Sequence, residues 1–348
     1  MPSKKVRAAV VGASGYTGAD LIRLALCHPY IELVALTANS HAGKDIAQVF
    51  PHLAHNDLPP LVSNDEVNWA DIEVAFCGLP HATSQRVIRE LPEHVRVVDI
   101  SADFRLRDPA LYEQTYGSAH AALELQQHAV YGLSEHYRAQ IADARLIACP
   151  GCYPTAVLTA LLPLVVNNLI QTDDVIIDAK SGLTGAGRAL KQNTLFAEAG
   201  EGMCAYAVGV HRHAPEIEQE LAVAAGRALT INFTPHLIPM SRGELVTCYV
   251  CLNSGNSVQD CKNALQEKYH AEPFVDLSPD GIIPHTQYVR GSNKVMLNVY
   301  EDRIPGRAIV IAALDNLVKG SSGQALQNFN IMHGIEETVA LQQIALFP

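Results

Sequence analysis

Residues 6–26 combine a strand pattern, a glycine-rich turn and a helix pattern, and this order restricts the fold more than any other feature of the chain. The apolar run Val6–Val11 is followed by Gly12, Gly15 and Gly18, and then by a helical pattern over 19–26. In such a turn the first glycine allows a tight bend, the second a close approach to a pyrophosphate, and the third close packing of helix on strand. Backbone N–H groups at the helix start point toward an anionic ligand. The pattern therefore predicts a dinucleotide-binding turn.

A second apolar run, Ile31–Thr37, completes a strand–helix–strand unit, whose right-handed crossover gives a parallel pair of strands. Further strands are predicted over 72–77 and 95–100, and a polar or glycine-bearing loop follows each of them. The carboxyl ends of parallel strands line one crevice, where a doubly wound sheet binds its ligand. Gly78 and Pro80 are therefore candidate cofactor-binding residues, although simple turn chemistry explains them equally well.

The end of the second strand predicts the type of dinucleotide. In NAD-binding units an acidic side chain near this point hydrogen-bonds the ribose 2′-OH. This chain instead has the neutral or basic residues Thr37, Asn39, Ser40 and Lys44, which are compatible with a 2′-phosphate. We therefore expect NADP(H) as the cofactor, with Thr37 and Ser40 among its binding residues.

The length of the chain predicts two domains, because single cores stop growing at roughly 250–300 residues and this chain has 348, of which 48% are hydrophobic. After residue 175 the pattern changes to β-rich runs interleaved with helical stretches, which indicates an α+β second domain. The strands are predicted over 175–179, 245–252 and 295–300, and the helices over 215–227, 258–269 and 309–319.

Charge and hydropathy exclude several classes of function. A net charge of −11 without a dense Lys/Arg stripe argues against binding to nucleic acid. No apolar run approaches the roughly 20 residues that span a bilayer, so no membrane segment is expected. Residues 1–6 lead directly into the first strand and lack the pattern of a signal peptide, which makes the cytoplasm the default location.

The eight cysteines are expected to be reduced thiols, given the length of the chain and the lack of an export signal. Two CxxC pairs raise the question of a zinc site. Cys248 and Cys251 lie in a β-rich run, where residues three apart point to opposite faces, so they should not share a metal ion. No metal site is predicted. A thioredoxin-like switch at Cys149 and Cys152 remains an alternative.

Residues 149–156 place a candidate nucleophilic thiol on a glycine-containing turn, and of the two cysteines there, Cys152 is nearer than Cys149 to the following helix. That long apolar helix is predicted over 157–170, and the positive end of a helix stabilises a thiolate. Pro154 suits the first helical turn, where no N–H partner is lost. A buried structural thiol is the alternative that these residues alone leave open.

Six motifs in order along the chain together resemble one family, the N-acetyl-gamma-glutamyl-phosphate reductases of the wider aspartate-semialdehyde dehydrogenase group. The resemblance covers nearly the whole chain. The motifs are GASGYTG at 12–18, SADFR at 101–105, PGCYPT at 150–155, KSGLTGAGR at 180–188, HRHAPE at 211–216 and DNLVKG at 315–320.

The resemblance implies a reaction in arginine biosynthesis and two catalytic residues. Cys152, rather than Cys149, would attack the γ-acyl phosphate of N-acetyl-L-glutamyl 5-phosphate and release phosphate. Hydride from NADPH would then reduce the thioester to N-acetyl-L-glutamate 5-semialdehyde. The reaction needs a group that titrates near neutral pH, and the family motif implies His211 in that acid/base role. His213 is the fallback, and Glu216 is a candidate for orienting either ring.

The resemblance also implies substrate-binding residues. Arg105 corresponds to an arginine that holds phosphate, and its planar guanidinium suits a phosphoryl or carboxylate group. Arg242 and Arg188 are weaker candidates, and they would bind the α-carboxylate of the substrate.

The cofactor-binding residues implied by the resemblance lie far apart in the sequence. Ser181, Gly182 and Asn316 resemble positions that contact the nicotinamide, so the C-terminal helix should return to the first domain. The implied α/β fold is a Rossmann-like NADP-binding domain of residues 1–150 and 314–348, plus an α+β catalytic and oligomerisation domain of 151–313. The family also forms homo-oligomers, either dimers or tetramers. The cofactor-binding residues of the glycine turn are Gly12, Ser14, Gly15, Tyr16, Thr17 and Gly18.

Three alternatives remain open. One is reduction of a related acyl phosphate, either aspartyl phosphate or a carrier-linked aminoadipyl or glutamyl phosphate. Another is the same chemistry run in the oxidative direction. The third is a nucleotide-sensing protein without catalysis, but the joint presence of Cys152 and His211 favours an enzyme.

Overall fold

The structure is a computed structural model that describes residues 4–348, and it contains two seven-stranded sheets. The strands are β1 Val6–Val11, β2 Ile31–Thr37, β3 Leu61–Val62, β4 Val74–Cys77, β5 Arg96–Asp99, β6 Val130–Tyr131, β7 Leu146–Ala148, β8 Ile176–Gly182, β9 Cys204–Ala205, β10 Asn232–Ile238, β11 Glu244–Cys251, β12 Val275–Leu277, β13 Val295–Glu301 and β14 Arg307–Leu314. The helices are α1 Tyr16–Ala25, α2 Ile46–Val49, α3 Ser84–Glu90, α4 Pro109–Tyr116, α5 Leu123–Gln126, α6 Ser134–Asp143, α7 Cys152–Val166, α8 Phe196–Ala199, α9 His213–Ala225, α10 Val258–Tyr269 and α11 Gly323–Met332.

The chain divides into two compact units, and each is made of two segments. The first unit contains Met1–Pro150 and Ser321–Gln342, and the second contains Gly151–Gly320 and Gln343–Pro348. Residues 1–3 of the predicted first domain lie outside the described residues.

The second predicted domain boundary needs a correction, from residue 314 to residue 321. Leu314 pairs in register with Glu244 and Val295 in the sheet of the second unit, so the chain does not leave that unit there. The last six residues also belong to the second unit, where the Leu346 N–H donates to the Arg290 carbonyl at 2.8 Å. The boundary depends on strand pairing, which an apolar pattern does not specify.

The sheet of the first unit is parallel throughout, as the strand–helix–strand pattern predicts. Its order is β3-β2-β1-β4-β5-β7-β6. β1 and β2 have the predicted bounds. The chain adds β2 and β3 on one side of β1 and then crosses over to add β4 on the other side. In a doubly wound sheet, this switch point is where a ligand binds.

Helix α11 is part of the first unit and is buried along its entire length, from Gly323 to Met332. The amide N–H groups of its Gln and Asn side chains donate to neighbouring backbone and side-chain groups. The Asn328 amide donates to the Gly132 carbonyl at 2.8 Å, and the Gln324 amide donates to the same oxygen at 2.8 Å. These contacts explain how a helix rich in Gln and Asn can lie in a protein interior.

The predicted helix over 309–319 is wrong. Residues up to Leu314 form strand β14, which pairs antiparallel with β11 on one side and β13 on the other. Residues 318–322 form a single π-helical turn ahead of α11. A short, continuous apolar run fits a buried strand as well as a buried helix, and β-branched Ile309, Val310 and Ile311 favour the strand.

The sheet of the second unit is mixed, with the order β12-β13-β14-β11-β8-β10-β9. The predicted α+β pattern is confirmed. The three predicted strands correspond to β8, β11 and β13, and the predicted helix over 215–227 corresponds to α9, each within a few residues. Helix α10 has the predicted bounds. Helix α7 packs across β11, β13 and β14 and is almost entirely buried, so it brings its first residue to the edge of this core.

Within residues 4–348, no helix combines the length and the apolar character that crossing a membrane requires.

Candidate active site

The glycine turn between β1 and α1 has the geometry that the sequence predicts for its first and third glycines. Gly12 has a φ of +87°, and a methyl group there would lie 2.5 Å from the Gly78 carbonyl oxygen. A methyl group on Gly18 would lie 2.7 Å from the Gly12 oxygen. Both positions therefore require glycine, the first for the bend and the approach of the β4 loop, and the third for the packing of α1 on β1.

The second glycine faces open space. A methyl group on Gly15 would meet only the Gly12 oxygen, at 3.7 Å. Gly15 is the N-cap residue of α1, and it has no side chain that would cap the first-turn N–H groups. Ser14, Tyr16 and Thr17 are partly exposed beside it. An uncapped helix start next to open space fits the pyrophosphate of a dinucleotide.

The end of β2 supports the turn through its backbone. The Thr37 carbonyl accepts hydrogen bonds from the Gly12 and Ala13 N–H groups at 3.1 and 2.8 Å, while its side chain is buried. Ser40 is exposed, and its hydroxyl hydrogen-bonds His41 Nδ1 at 2.9 Å. Lys44 is exposed as well, so the polar groups available to a ligand at this strand end carry no negative charge.

The loop after β5 is built on buried carboxylates. Asp99 accepts hydrogen bonds from the Ser101 N–H and hydroxyl at 3.0 and 2.8 Å, and burial, reinforced by Asp103, raises the pKa of Asp99 to about 7. Arg105 is also buried and donates from Nη2 to the Ile100 carbonyl at 2.9 Å. The loop therefore holds Arg105 in a fixed orientation.

The loop after β4 is tied to the loop after β5. The Ala82 N–H donates to Asp103 Oδ1 at 2.7 Å, and Ala82 has a φ of +63°. Gly78 is partly exposed and Pro80 is exposed in this loop. The structure thus brings the predicted strand-end loops of the first unit together.

Cys149 and Cys152 lie in opposite environments. Cys149 is fully buried, accepts a hydrogen bond from the Asn328 amide at 3.5 Å, and burial raises its pKa to about 12. Cys152 is partly exposed and is the first residue of α7. These environments fit the structural role implied for Cys149 and the nucleophilic role implied for Cys152.

The start of α7 is fixed from two sides. The Gly151 N–H donates to Oε1 of the buried Glu216 at 2.9 Å, and the Thr155 hydroxyl donates to the Gly151 carbonyl at 3.0 Å. On the other side, a methyl group on Gly320 would lie 2.7 Å from Cys152 Cβ. Glu216, which the sequence offered as a partner for a histidine ring, thus also positions the turn that carries Cys152.

His211 lies among aromatic rings, and one of them belongs to Tyr153, the residue that follows Cys152 in α7. Its ring centre is 5.8 Å from that of Tyr153, 5.3 Å from that of Tyr206 and 4.8 Å from that of His213. The His213 N–H donates to His211 Nδ1 at 3.2 Å. Because Nδ1 accepts this bond, the proton of the neutral ring is assigned to Nε2.

The expectation that His211 titrates near neutral pH needs a correction. Burial, and to a lesser extent the positive charge of Arg212, lowers the pKa of His211 to about 4. The ring is therefore neutral at pH 7, which favours a role as a donor from Nε2 over a role as the base that first removes the thiol proton.

Glu244 is a candidate that the sequence analysis missed. It is fully buried, and burial raises its pKa to about 8, although a side-chain interaction with Cys152 lowers that pKa and the charge of Asp315 raises it further. The one signal in the sequence is a carboxylate at the head of an otherwise apolar strand pattern.

Ser181, Gly182 and Asn316 are brought together although they lie far apart in the sequence. The Asn316 side chain accepts from the Gly243 N–H at 2.8 Å and donates to the Thr184 hydroxyl at 3.0 Å. The Gly182 N–H donates to the Gly243 carbonyl at 2.9 Å. Ser181 is buried and donates to the Gly182 carbonyl at 3.1 Å.

The other two arginines differ in their surroundings. Arg242 is partly exposed, and its Nη1 lies 3.6 Å from Oδ1 of the buried Asp315. Arg188 is exposed. Arg242 is therefore the better oriented of the two candidates for the substrate carboxylate.

The second CxxC pair lies within β11, where Cys248 is buried and Cys251 is partly exposed. This alternation confirms the predicted placement on opposite faces. Across residues 4–348 no group of three or more His, Cys, Asp or Glu side chains is arranged to hold a metal ion.

Family models match both units of the chain. Residues 7–144 match the model described as the NAD binding domain of semialdehyde dehydrogenase, and residues 152–316 match its dimerisation domain. The chain therefore belongs to the semialdehyde dehydrogenase family of NAD(P)-binding oxidoreductases.

Within this family, the chain belongs with the N-acetyl-gamma-glutamyl-phosphate reductases. It is 52% identical to the protein of that name from Rhodospirillum rubrum, over 99% of this chain and 100% of that one. It is 49% identical to a probable chloroplastic N-acetyl-gamma-glutamyl-phosphate reductase from Arabidopsis thaliana, over 100% of this chain and 86% of that one.

Solved structures show the same fold at low sequence identity. Aspartate semialdehyde dehydrogenase II from Vibrio cholerae, complexed with ASA, matches with a TM-score of 0.71 at 14% identity, over 95% of this chain and 99% of that one. Aspartate semialdehyde dehydrogenase with NADP from Candida albicans matches with a TM-score of 0.68 at 17% identity, over 95% of this chain and 99% of that one.

Proposed function

We propose that the protein reduces N-acetyl-L-glutamyl 5-phosphate to N-acetyl-L-glutamate 5-semialdehyde and phosphate, as a cytoplasmic step of arginine biosynthesis. The observation that carries the proposal is the partly exposed Cys152 at the start of α7, with its backbone turn fixed by Glu216. The near-full-length identity of 52% to a protein of that name supports the choice of substrate.

Cys152 is the nucleophile in this proposal. Its thiolate attacks the acyl carbonyl, the C–O bond to phosphate breaks, and a thioester forms. The nicotinamide cofactor, when bound, supplies the hydride that reduces this thioester. The C–S bond of the resulting thiohemiacetal then breaks, which releases the semialdehyde and returns the thiolate. The thioester divides one difficult displacement into two easier steps.

His211 stabilises the oxygen of the acyl group. A neutral ring whose Nδ1 already accepts a hydrogen bond presents an Nε2–H donor, and such a donor stabilises the oxyanion that forms at the carbonyl. The aromatic rings around the partly exposed His211 reduce the contact of its ring with bulk water, where a hydrogen bond would contribute less. His213, whose ring adjoins that of His211, is the alternative donor.

Arg105 and Arg242 bind the anionic groups of the substrate in this proposal. A guanidinium forms two parallel hydrogen bonds with a phosphoryl or carboxylate group. The buried setting of Arg105 reduces the entropy that binding would cost, because the side chain is already held in place.

NADP(H) is the proposed cofactor, bound by the glycine turn and by the nicotinamide-binding group Ser181, Gly182 and Asn316. The exposed Ser40 and Lys44 support a preference for the 2′-phosphate. A direct binding titration should therefore give a lower Kd for NADPH than for NADH, and equal values would contradict the preference.

The second unit is proposed to form a homo-oligomer, either a dimer or a tetramer. The match of residues 152–316 to a dimerisation domain supports this assembly. Light scattering should give two or four times the mass of one chain, and a monomer would contradict the proposal.

The proposed function is tested by the reverse reaction. The purified protein is assayed for reduction of NADP with N-acetyl-L-glutamate 5-semialdehyde, with and without inorganic phosphate, and in parallel with aspartate semialdehyde. Phosphate-dependent activity with the acetylated compound alone supports the proposal. Activity with aspartate semialdehyde alone would indicate a reductase of a related acyl phosphate, and no activity with either would favour a nucleotide-sensing protein.

A further inference from the structure

Glu244 is the first residue of β11, which is the central strand of the sheet in the second unit. It pairs in register with Ser181 of β8 on one side and with Leu314 of β14 on the other. Burial alternates along β11, so Glu244 shares a face with Val246 and Cys248, both fully buried. A carboxyl group therefore occupies a position that the pattern of the strand assigns to the core.

The same face packs against α7, whose first residue is Cys152. A methyl group on Gly320 would touch both Cys152 Cβ at 2.7 Å and Cδ1 of Leu314 at 3.3 Å, so Cys152 lies close to the strand partner of Glu244. The Cys152 thiol is close enough to the Glu244 carboxyl group to lower its pKa. Among the described residues, both Glu244 side-chain oxygens are buried and neither makes a hydrogen bond of ordinary geometry.

The other charged and titratable groups near Glu244 already have their own partners. Asp315 on the β14 side accepts from the Gly291 N–H at 2.7 Å and the Leu317 N–H at 2.9 Å, and Arg242 lies 3.6 Å from it. The hydroxyl groups of Tyr153 and Tyr206 also lie within electrostatic range, and burial raises the pKa of both above the ordinary value for tyrosine.

Burial and the charge of Asp315 raise the pKa of Glu244 to about 8, whereas burial lowers that of His211 to about 4. Proton transfer is efficient between groups of similar pKa, and a free thiol has a pKa of about 8.5. The carboxylate of Glu244 is therefore better matched to the thiol than the imidazole of His211 is.

We infer that Glu244 is a catalytic residue that exchanges a proton with the Cys152 thiol. This inference rests on the proposed role of Cys152 as the nucleophile. The S–H bond of Cys152 breaks, its proton moves to a Glu244 oxygen, and the thiolate attacks the acyl carbonyl. When the C–S bond breaks and the semialdehyde leaves, the same proton returns from the Glu244 carboxyl group to sulfur. Glu244 is thus unchanged after each turnover.

The first test needs neither substrate nor cofactor. Difference infrared spectra between the wild-type protein and Glu244→Gln should show the C=O band of a protonated carboxyl group at neutral pH, which disappears as the pH rises through about 8. Cys152→Ala removes the interaction that lowers this pKa, so the midpoint should move to higher pH. Absence of the band, or a midpoint that Cys152→Ala does not move, would overturn the inference.

The second test is kinetic. Glu244→Gln should lower kcat by about 100-fold or more while KM changes little, since the carboxyl group acts in proton transfer. The rise of kcat/KM with pH toward about 8 should be lost in this variant and partly restored in Glu244→Asp. Glu220→Gln, which changes another buried glutamate, on α9, is the matched control and should keep the wild-type profile.

A wild-type pH profile in Glu244→Gln would overturn the inference, as would a variant that changes KM and melting temperature while kcat keeps its pH dependence. If the wild-type protein fails to act on N-acetyl-L-glutamate 5-semialdehyde, the proposed function fails, but the infrared midpoint still reports whether Glu244 and Cys152 interact through a shared proton. The two failures are therefore distinguishable.

Discussion

At the scale of single residues, burial decides what identical side chains do. Cys149 and Cys152 are three residues apart, but the first is enclosed in the core and the second opens a helix at partial exposure. Glu216 and Glu244 are both fully buried, and only Glu216 accepts a backbone N–H hydrogen bond, from Gly151. Residue type alone therefore identifies candidates, and the environment assigns their roles.

His211→Asn should lower kcat by on the order of 100- to 10,000-fold, because the variant loses the Nε2–H donor to the acyl oxygen. Steady-state kinetics with N-acetyl-L-glutamate 5-semialdehyde, NADP and phosphate measures the effect. The matched change His270→Asn, at an exposed position on the second unit, should leave kcat unchanged. An unchanged rate in His211→Asn would transfer the role to His213.

Cys152 could be identified from the sequence because its neighbours form a local motif, and a local motif can be recognised without knowledge of the fold. The sequence could not identify Glu244 as a partner of Cys152. The two lie far apart in the sequence, and they come close because β11 lies in register between β8 and β14 under α7. The pKa of His211 also depends on a cluster of rings from separate segments.

At the scale of elements, the strand–turn–helix unit of β1 and α1 was predictable because each of its glycines has a local purpose. The strand β14 was not, because a short, continuous apolar run fits a buried strand as well as a buried helix, and its pairing with β11 and β13 decides between the two. Because of that pairing, the domain boundary lies at residue 321 and not at the predicted residue 314.

Gly12→Ala should destabilise the protein more than Gly43→Ala. Both glycines have positive φ values, +87° and +82°, so each alanine costs about 1–2 kcal/mol of backbone strain. Only Gly12 also faces a carbonyl oxygen at 2.5 Å, that of Gly78, whereas nothing lies within 4 Å of Gly43. The overpacking at Gly12 should add about 1–3 kcal/mol.

Urea denaturation of the two variants measures this difference, and an NADPH titration measures its functional effect. Gly12→Ala should also weaken NADPH binding, because the turn cannot keep its shape, while Gly43→Ala should bind as the wild-type protein does. Equal losses of stability in the two variants would contradict the role assigned to the close approach at Gly12.

At the scale of the whole molecule, stability depends on pH through the buried ionisable groups. Glu244 has a pKa raised to about 8 in the folded protein, above its ordinary value of 4.5. Between these values the folded state binds the proton more tightly than the unfolded state. The stabilisation from this group is complete below about pH 4.5 and is lost as the pH rises through about 8.

Glu244→Gln should therefore raise the melting temperature relative to the wild-type protein, and the gain should be larger at pH 8 than at pH 5. The amide keeps the shape of the side chain and cannot ionise, so the buried charge no longer forms at high pH. Thermal unfolding at the two pH values measures the gain. An equal gain at both pH values would contradict the assignment of a raised pKa to Glu244.

Trapping the acyl group on Cys152 tests most directly whether this thiol is the nucleophile. The protein is mixed with N-acetyl-L-glutamate 5-semialdehyde and NADP without phosphate, quenched in acid, and analysed by peptide mass spectrometry. We expect an N-acetylglutamyl adduct on the peptide that carries Cys152, and this adduct should be lost when phosphate is added. Cys152→Ala should bind NADPH but form no adduct. An absent adduct in an active wild-type protein, or an equal adduct in Cys152→Ala, would contradict the role of Cys152 as the nucleophile.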